Sequence, residues 1–127
     1  PGAGRDSRTR EMNIARREEN GTIADFCACA ARLLKFGGTF TVVYRPDRFV
    51  DLIAAMRSVR LEPKYAVFIC PSLSDAPCLV LVEAKKGGSV QLSIAPPLVI
   101  YADKGAGLYT PEMEKVYAEC SLRFLFP

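Results

Sequence analysis

The residue types that most often perform proton transfer and metal binding are scarce in this sequence. It contains no histidine, which excludes His-based triads, His general bases and every His-containing metal site. The five cysteines are Cys27, Cys29, Cys70, Cys78 and Cys120. They form no C-x-x-C pair, and on a helix Cys27 and Cys29 would point about 200° apart. We therefore expect small buried hydrophobic side chains in a reducing cytosol, and neither a metal site nor a catalytic thiol.

The glycine-rich segments do not predict a cofactor or phosphate site. Gly2-Ala3-Gly4 is a G-x-G without the preceding strand and following helix that a dinucleotide fingerprint requires. Gly37-Gly38 is better explained as a helix stop, and Gly105-Ala106-Gly107 as a loop. The sequence contains no Gly-Lys-Ser or Gly-Lys-Thr phosphate loop.

Arginine is the residue type whose placement best indicates a ligand. Five arginines fall within the first 17 positions, Arg5, Arg8, Arg10, Arg16 and Arg17. Arg45-Pro46-Asp47-Arg48 follows a predicted strand and opens a helix, and ligands of open α/β sheets bind at the carboxyl ends of strands. The net charge of +3 and pI of about 8.7 are too mild to prove a nucleic-acid partner. A solvated, charged surface loop is the competing interpretation.

Length and composition indicate one ordinary globular domain. The chain has 127 residues, 50% hydrophobic and 24% charged, and no apolar run reaches the roughly 18 residues that cross a bilayer. Nothing at the start resembles a signal peptide, so we expect a cytoplasmic protein without membrane contact. The length is short for an enzyme that binds a large cofactor.

The patterning predicts alternating helices and strands. Thr22 and Asp25 form a capping-box start, and apolar residues follow at helical spacing (Ile23, Phe26, Cys27, Ala30, Leu33 and Leu34). Strands are predicted at Thr39–Tyr44, Lys64–Cys70 and Cys78–Ala84. A second helix starts at Pro46, with Phe49, Leu52, Ile53, Met56 and Val59 on its inner face. The turn Lys85–Gly88 is hairpin-like and leads into Val90–Ile94, residues 98–101 are extended, and Thr110-Pro111-Glu112 starts a last helix.

This order predicts an α/β layer in which the first two strands pair in parallel and the second and third are antiparallel. Thr39–Tyr44 is apolar on both faces from Phe40 on, as in a covered parallel strand. At the edge of a small sheet it would be a liability, which indicates an incomplete sheet. Residues 1–20 are predicted to be a loop with one helical turn or a partly disordered segment, residues 21–120 the domain, and residues 121–127 an apolar tail.

Several segments, taken in order, resemble one known family. They are Ile14-Ala15-Arg16-Arg17-Glu18, Leu33-Leu34-Lys35-Phe36-Gly37-Gly38, Tyr44-Arg45-Pro46-Asp47-Arg48-Phe49, Leu61-Glu62-Pro63-Lys64, Val80-Leu81-Val82-Glu83 with Lys86-Gly87-Gly88, and Pro96-Pro97-Leu98-Val99-Ile100-Tyr101 with Tyr109-Thr110-Pro111-Glu112. Together, over residues 14–118, they resemble the C-terminal half of the S-adenosylmethionine-dependent adenine-N6 methyltransferases of the tRNA(Val) type, small-domain relatives of the HemK-like methyltransferases.

The resemblance implies part of a Rossmann-like class I methyltransferase sheet, whose strand order is 3-2-1-4-5-7-6 with strand 7 antiparallel. Thr39–Tyr44 would be strand 5, Lys64–Cys70 strand 6 and Cys78–Ala84 strand 7, followed by a C-terminal hairpin and helix. Strand 7 would then lie between strands 5 and 6, and strand 4 would cover Thr39–Tyr44.

The departures from the family decide which residues can be carried over. The family's cofactor loop, ribose-binding acid and Asn-Pro-Pro-Tyr segment precede the matched region and do not occur here. Arg17 stands where the family has histidine in Ala15-Arg16-Arg17-Glu18. No catalytic, cofactor-binding or metal residue is therefore carried over, and S-adenosylmethionine, the family's cofactor, is not expected to bind this chain alone.

The expected function is the C-terminal portion of a nucleic-acid methyltransferase that is inactive alone and whose partner is tRNA or another RNA. Arg16, Arg17, Arg45 and Arg48 are the residues expected to meet phosphates. The missing N-terminal half or a second copy would pair with Thr39–Tyr44. The alternative is a stand-alone module that dimerises through this strand or binds RNA, and a small-molecule enzyme unrelated to methyl transfer is a third hypothesis.

Overall fold

The protein folds as a mixed sheet flanked by helices. The structure is a computed structural model. It describes residues 22–118 in full and the backbone of residues 11–14 and 119. The elements in chain order are β1 (Glu11–Ile14), α1 (Ile23–Leu33), β2 (Thr39–Tyr44), a 3₁₀ turn (Pro46–Arg48), α2 (Phe49–Ser58), β3 (Leu61–Cys70), β4 (Leu79–Lys86), β5 (Ser93–Ile94), β6 (Leu98–Val99), β7 (Tyr101–Asp103), β8 (Leu108–Tyr109) and α3 (Pro111–Glu119).

The main sheet has the order β1-β2-β4-β3-β5, and β6 also pairs with β3. β4 is antiparallel to both β2 and β3, whereas the other neighbours pair in parallel. The resemblance implied that Cys78–Ala84 lies between Thr39–Tyr44 and Lys64–Cys70. This is confirmed, because β4 lies between β2 and β3. The prediction that the first two strands pair in parallel is wrong: β2 and β3 run in the same direction, but β4 lies between them and pairs with both.

The open edge predicted at β2 is already occupied. β1 pairs with it in parallel, from Glu11 opposite Thr39 to Ile14 opposite Val42. The prediction of a loop over residues 1–20 is therefore wrong at residues 11–14, because unpaired N–H and C=O groups of an apolar strand favour a partner strand. The rest of that segment and the tail 121–127 lie outside the described residues.

The first helix begins as its sequence predicts. Thr22 Oγ1 accepts a hydrogen bond from the backbone N–H of Asp25 at 3.2 Å, and Asp25 accepts one from the Thr22 N–H at 3.2 Å. The helix ends at Leu33, before the predicted glycine stop, and Lys86 completes its C-terminus. Lys86 Nζ donates to the carbonyls of Ala31 and of Leu34, the latter at 2.6 Å.

The main core lies between the sheet and the two helices α1 and α2. Its central side chains are fully or almost fully buried: Cys27, Ala30, Leu34, Phe40, Val42, Tyr44, Leu52, Met56, Leu61, Ala66, Val80, Val82 and Ala84. These residues alternate along β2 and β4, as expected for a strand face that packs on helices. Phe26 and Leu33 were also predicted on the inner face of α1. Phe26 is instead partly exposed, and Leu33 is exposed.

A smaller core lies on the opposite face of the sheet. Val67, Ile69, Leu81 and Leu98 are buried there, and Met113 and Val116 of α3 pack against them. Thr110 caps α3 as predicted, since its Oγ1 accepts a hydrogen bond from the Met113 N–H at 3.1 Å. This core fixes the C-terminal segment to the sheet.

Two predicted strands differ in length and pairing from those observed. β3 begins at Leu61 rather than Lys64, and its register with β4 shifts between Pro63 and Tyr65. After the turn at 87, the chain does not return beside β4 as a hairpin. β5 instead pairs in parallel with β3, through Tyr65 and Ala66. An antiparallel two-stranded hairpin is formed later, by β7 and β8.

The ammonium of Lys86 should contribute measurably to stability. Lys86→Met removes a charged donor from the carbonyls at the C-terminus of α1, and hydrogen bonds to charged groups contribute about 2 kcal/mol. We expect the free energy of unfolding, measured by urea denaturation, to fall by about that amount. The neighbouring exposed lysine provides the matched control, Lys85→Met, which should change it by less than about 0.5 kcal/mol. Equal effects of the two substitutions would contradict the capping role.

Candidate functional site

The carboxyl edge of the sheet is where the chain can bind a ligand. β1, β2 and β3 run in one direction, so their carboxyl ends lie at the same edge, where antiparallel β4 begins. The segments that leave this edge are residues 45–48 after β2 and residues 71–78 after β3. Because β4 separates the two strands, these segments start about 10 Å apart.

Two ion pairs form within the segment that follows β2. The Arg45 guanidinium donates two hydrogen bonds to the Asp47 carboxylate, at 3.0 and 2.7 Å. Arg48 Nε donates to Asp51 at 2.6 Å. The Arg45 hydrogen bond lowers the pKa of Asp47 below its usual value. Both pairs are largely exposed, and exposed pairs are held by less than about 1 kcal/mol. Each guanidinium can therefore exchange its carboxylate for another anion at little cost.

The structure brings together only part of the predicted arginine set. Arg45 and Arg48 lie on one turn at the carboxyl edge, as expected from the sequence. Arg16 and Arg17 lie outside the described residues. Their prediction as phosphate contacts is therefore neither supported nor contradicted by the structure.

A second polar cluster at this edge was not predicted. Asp75 accepts hydrogen bonds from Lys104 Nζ at 2.7 Å and from Ser72 Oγ at 2.8 Å. The hydrogen bond from Lys104, and to a smaller extent that from Ser72, lowers the pKa of Asp75 below its usual value. Asp75 and Lys104 are 29 positions apart in the sequence, so only the fold reveals the contact. The pair joins the segment after β3 to the β7–β8 hairpin.

An open cleft of about 500 Å³ lies beside this cluster. Its lining residues come from the same two segments: Ser72, Leu73, Ser74, Ala102, Asp103, Lys104 and Gly105. The Leu73 side chain is 89% exposed at its rim. The lining offers two hydroxyl groups, one ammonium and one carboxylate, which suits hydrogen bonding to a polar ligand more than binding of an isolated phosphate.

Three tyrosine rings pack together where the β7–β8 hairpin meets α3. Tyr101 and Tyr109 lie across the hairpin with ring centroids 5.4 Å apart, and Tyr109 lies 5.9 Å from Tyr117 of α3. The backbone N–H of Tyr101 also donates to the Pro71 carbonyl at 2.9 Å. The hairpin is thereby held against both β3 and α3.

The cysteines divide into two classes. Cys27 and Cys70 are buried as predicted, and burial raises the pKa of the Cys27 thiol to about 11. Cys29 and Cys78 are exposed, so the prediction of burial is wrong for these two. Cys29 lies on the opposite side of α1 from Cys27, and Cys78 lies in the segment before β4. Cys120 lies outside the described residues. Within residues 22–119, no group of three or more Cys, Asp or Glu side chains is arranged to hold a metal ion.

The link between Asp75 and Lys104 predicts a measurable titration. Lys104→Gln removes the main cause of the lowered pKa, so the pKa of Asp75, followed by carboxyl ¹³C NMR, should rise towards its ordinary value. Ser72→Ala should raise it less. Because the folded pKa is lowered, the pair stabilises the fold above the unfolded pKa and loses this effect as pH falls through the folded pKa. The same pKa in wild type and Lys104→Gln would contradict the contact.

Comparison with known proteins supports the fold. No protein-family model matches the chain, and no curated protein matches it. It is similar to the crystal structure of a predicted O-methyltransferase from Agrobacterium tumefaciens, with a TM-score of 0.73 and 22% sequence identity over 85% of this chain and 50% of that one. The chain thus spans about half the length of this neighbour. No helix within the described residues is long and apolar enough to span a membrane. The described residues have a methyltransferase-like α/β fold.

Proposed function

We propose that this chain is the C-terminal part of a cytoplasmic, S-adenosylmethionine-dependent methyltransferase that modifies the N6 atom of adenine in tRNA. The observation that carries the proposal is the insertion of β4, antiparallel, between β2 and β3. This is the 5-7-6 order implied by the resemblance of the sequence. The likeness to half of a predicted methyltransferase supports the same reading.

The described residues do not by themselves fit S-adenosylmethionine. β2 is followed by Arg45 and Pro46, and β3 by Pro71 and Ser72, so neither strand leads into a glycine-rich turn. Gly105 and Gly107 lie in the turn of the β7–β8 hairpin, without the strand–loop–helix frame that such a cofactor needs. We therefore assign this chain the role of shaping the substrate entrance and contacting RNA, and no step of methyl transfer.

The first test is cofactor binding and product analysis. Calorimetry of the 127-residue chain with S-adenosylmethionine should show no binding, because the described residues lack a cofactor frame; clear binding would contradict this assignment. The longer gene product that we propose should methylate tRNA, and mass spectrometry of digested tRNA should show N6-methyladenosine. The neighbour's description as an O-methyltransferase makes ribose methylation the second candidate, and a 2′-O-methyl nucleoside would favour it.

The second test concerns the arginines at the carboxyl edge. Charge reversal of both, Arg45→Glu with Arg48→Glu, should weaken tRNA binding by about tenfold or more near 0.1 M salt, because two phosphate contacts are lost. The slope of log affinity against log salt should fall by about 1.4 to 1.8. A thermal melt checks that the variant is folded. Unchanged affinity and unchanged slope would remove these residues from the interface.

The alternative of a stand-alone module that dimerises through Thr39–Tyr44 now requires an additional step. β1 and β4 occupy both sides of this strand, so a second copy would have to displace β1. Sedimentation at high concentration distinguishes the two hypotheses, because the alternative predicts a dimer.

A further inference from the structure

Positive charge is concentrated at the edge of the sheet opposite the candidate site. At this amino edge, β2 and β3 begin and β4 ends. The segments 32–38, 57–64 and 85–89 meet here, and they hold seven basic side chains against the single acid Glu62: Arg32, Lys35, Arg57, Arg60, Lys64, Lys85 and Lys86. The rest of the chain keeps ten basic and thirteen acidic residues. The net charge of +3 is therefore unevenly distributed, because these segments are strongly positive and the rest of the chain is slightly negative. We call these seven residues the amino-edge basic patch.

Backbone hydrogen bonds hold the three segments together. Gly37 N–H donates to the Lys86 carbonyl at 2.9 Å, and Lys86 N–H donates to the Gly38 carbonyl at 2.9 Å. Gly87 N–H donates to the Arg60 carbonyl at 3.0 Å. The patch is thus preformed, so a ligand would not have to order these turns on binding.

Most of the positive charge in the patch is available to a ligand. Lys86 is committed to the C-terminus of α1, and Arg57 pairs with Glu62 at 2.8 Å. Four other members are exposed and form no ion pair with an acidic side chain in residues 22–118: Arg32, Lys35, Arg60 and Lys85. Four uncompensated charges on adjoining segments favour a polyanion, because a string of phosphates can neutralise them together.

An exposed aromatic ring lies within the patch. Phe36 follows Lys35, and its side chain is 79% exposed. The ring lies over the turn at Gly87, where a Cβ atom would be only 2.0 Å from Phe36 Cε1. Gly87 has φ +75°, a conformation that also favours glycine. One side of the ring is therefore supported by backbone, while its outer side faces solvent, as in a platform on which a nucleic-acid base can stack.

We propose that the amino-edge basic patch is a second RNA-binding surface, in which the lysines and arginines contact phosphates and Phe36 stacks on an unpaired base. The identity of the polyanion rests on the proposed function. β3 runs between the two edges for ten residues, a length of roughly 30 Å. The patch therefore contacts the RNA far from the nucleotide presented at the carboxyl edge.

The shape of the patch favours RNA over a lipid surface. Its charges are divided among the ends of two helices and two strands and the turns between them, so no single helix carries them, and its aromatic residue is a single flat ring. Binding to a membrane surface commonly uses a helix that buries a continuous apolar face, and α1 and α2 use their apolar faces for the core. Vesicle binding is kept as an outcome of the test.

The first arm of the experiment removes charge. Binding of the 127-residue chain to fluorescently labelled tRNA is titrated at several salt concentrations for Lys35→Gln, Lys85→Gln, the double variant and the matched control Lys115→Gln on α3. We expect about tenfold weaker binding of the double variant near 0.1 M salt and a salt slope lower by about 1.4 to 1.8. The control should stay within about twofold. Equal losses in the control and the single patch variants would overturn the proposal.

The second arm separates base stacking from charge. Phe36→Leu should weaken tRNA binding about fivefold or more, whereas Phe36→Tyr, which keeps the ring, should bind as wild type does. Neither variant should alter binding to heparin, which is a polyanion without bases. If Phe36→Leu weakens heparin binding equally, or if phosphatidylserine vesicles bind in preference to tRNA, the proposal of an RNA surface is wrong.

These results are independent of the methylation test. The titrations measure binding by this chain, whereas methyl transfer is measured on the longer gene product. Binding at the patch without methylation would overturn only the proposed function. Methylation with no effect of the patch variants on tRNA binding would overturn only this inference.

Discussion

The antiparallel pairing of β4 with both β2 and β3 is the interaction on which the rest of the structure depends. β4 forms ladders on both sides, and Val80, Val82 and Ala84 are completely buried beneath the helices. Its insertion keeps β2 and β3 parallel in direction without direct contact. It therefore sends the segments after both strands to the carboxyl edge and its own closing turn to the amino edge. The two ends of the molecule acquire different chemistry through this one strand.

Local signals explain which elements were predictable. The capping box of Thr22 and Asp25 and the strand Thr39–Tyr44 depend on residues close in sequence, and both are found at the predicted positions. β1 could not be predicted in this way, because a four-residue strand forms only when a long-range neighbour supplies its hydrogen bonds. The start of β3 at Leu61 could not be predicted, because proline commonly interrupts a strand and the register shifts beside Pro63.

The candidate site also has one part that the local sequence predicts and another that depends on long-range contacts. The sequence placed Arg45 and Arg48 at the end of a strand, and the structure agrees. It could not show that Lys104 reaches Asp75 across 29 positions, since this contact depends on the β7–β8 hairpin. The amino-edge basic patch is drawn from segments between residues 32 and 89, each with an unremarkable local charge. Only the topology of the sheet makes these charges neighbours.

The irregularity in β3 has a consequence for the uniqueness of the fold. Leu61 and Pro63 face the same helices as Ala66, although simple alternation would place odd- and even-numbered residues on opposite faces. Lys64 is the extra residue, and its ammonium is tied to the Ser89 carbonyl at 2.7 Å. If β3 slid by one residue along β4, every side chain on one side of the bulge would turn to the wrong face. The bulge therefore fixes a single register between β3 and β4.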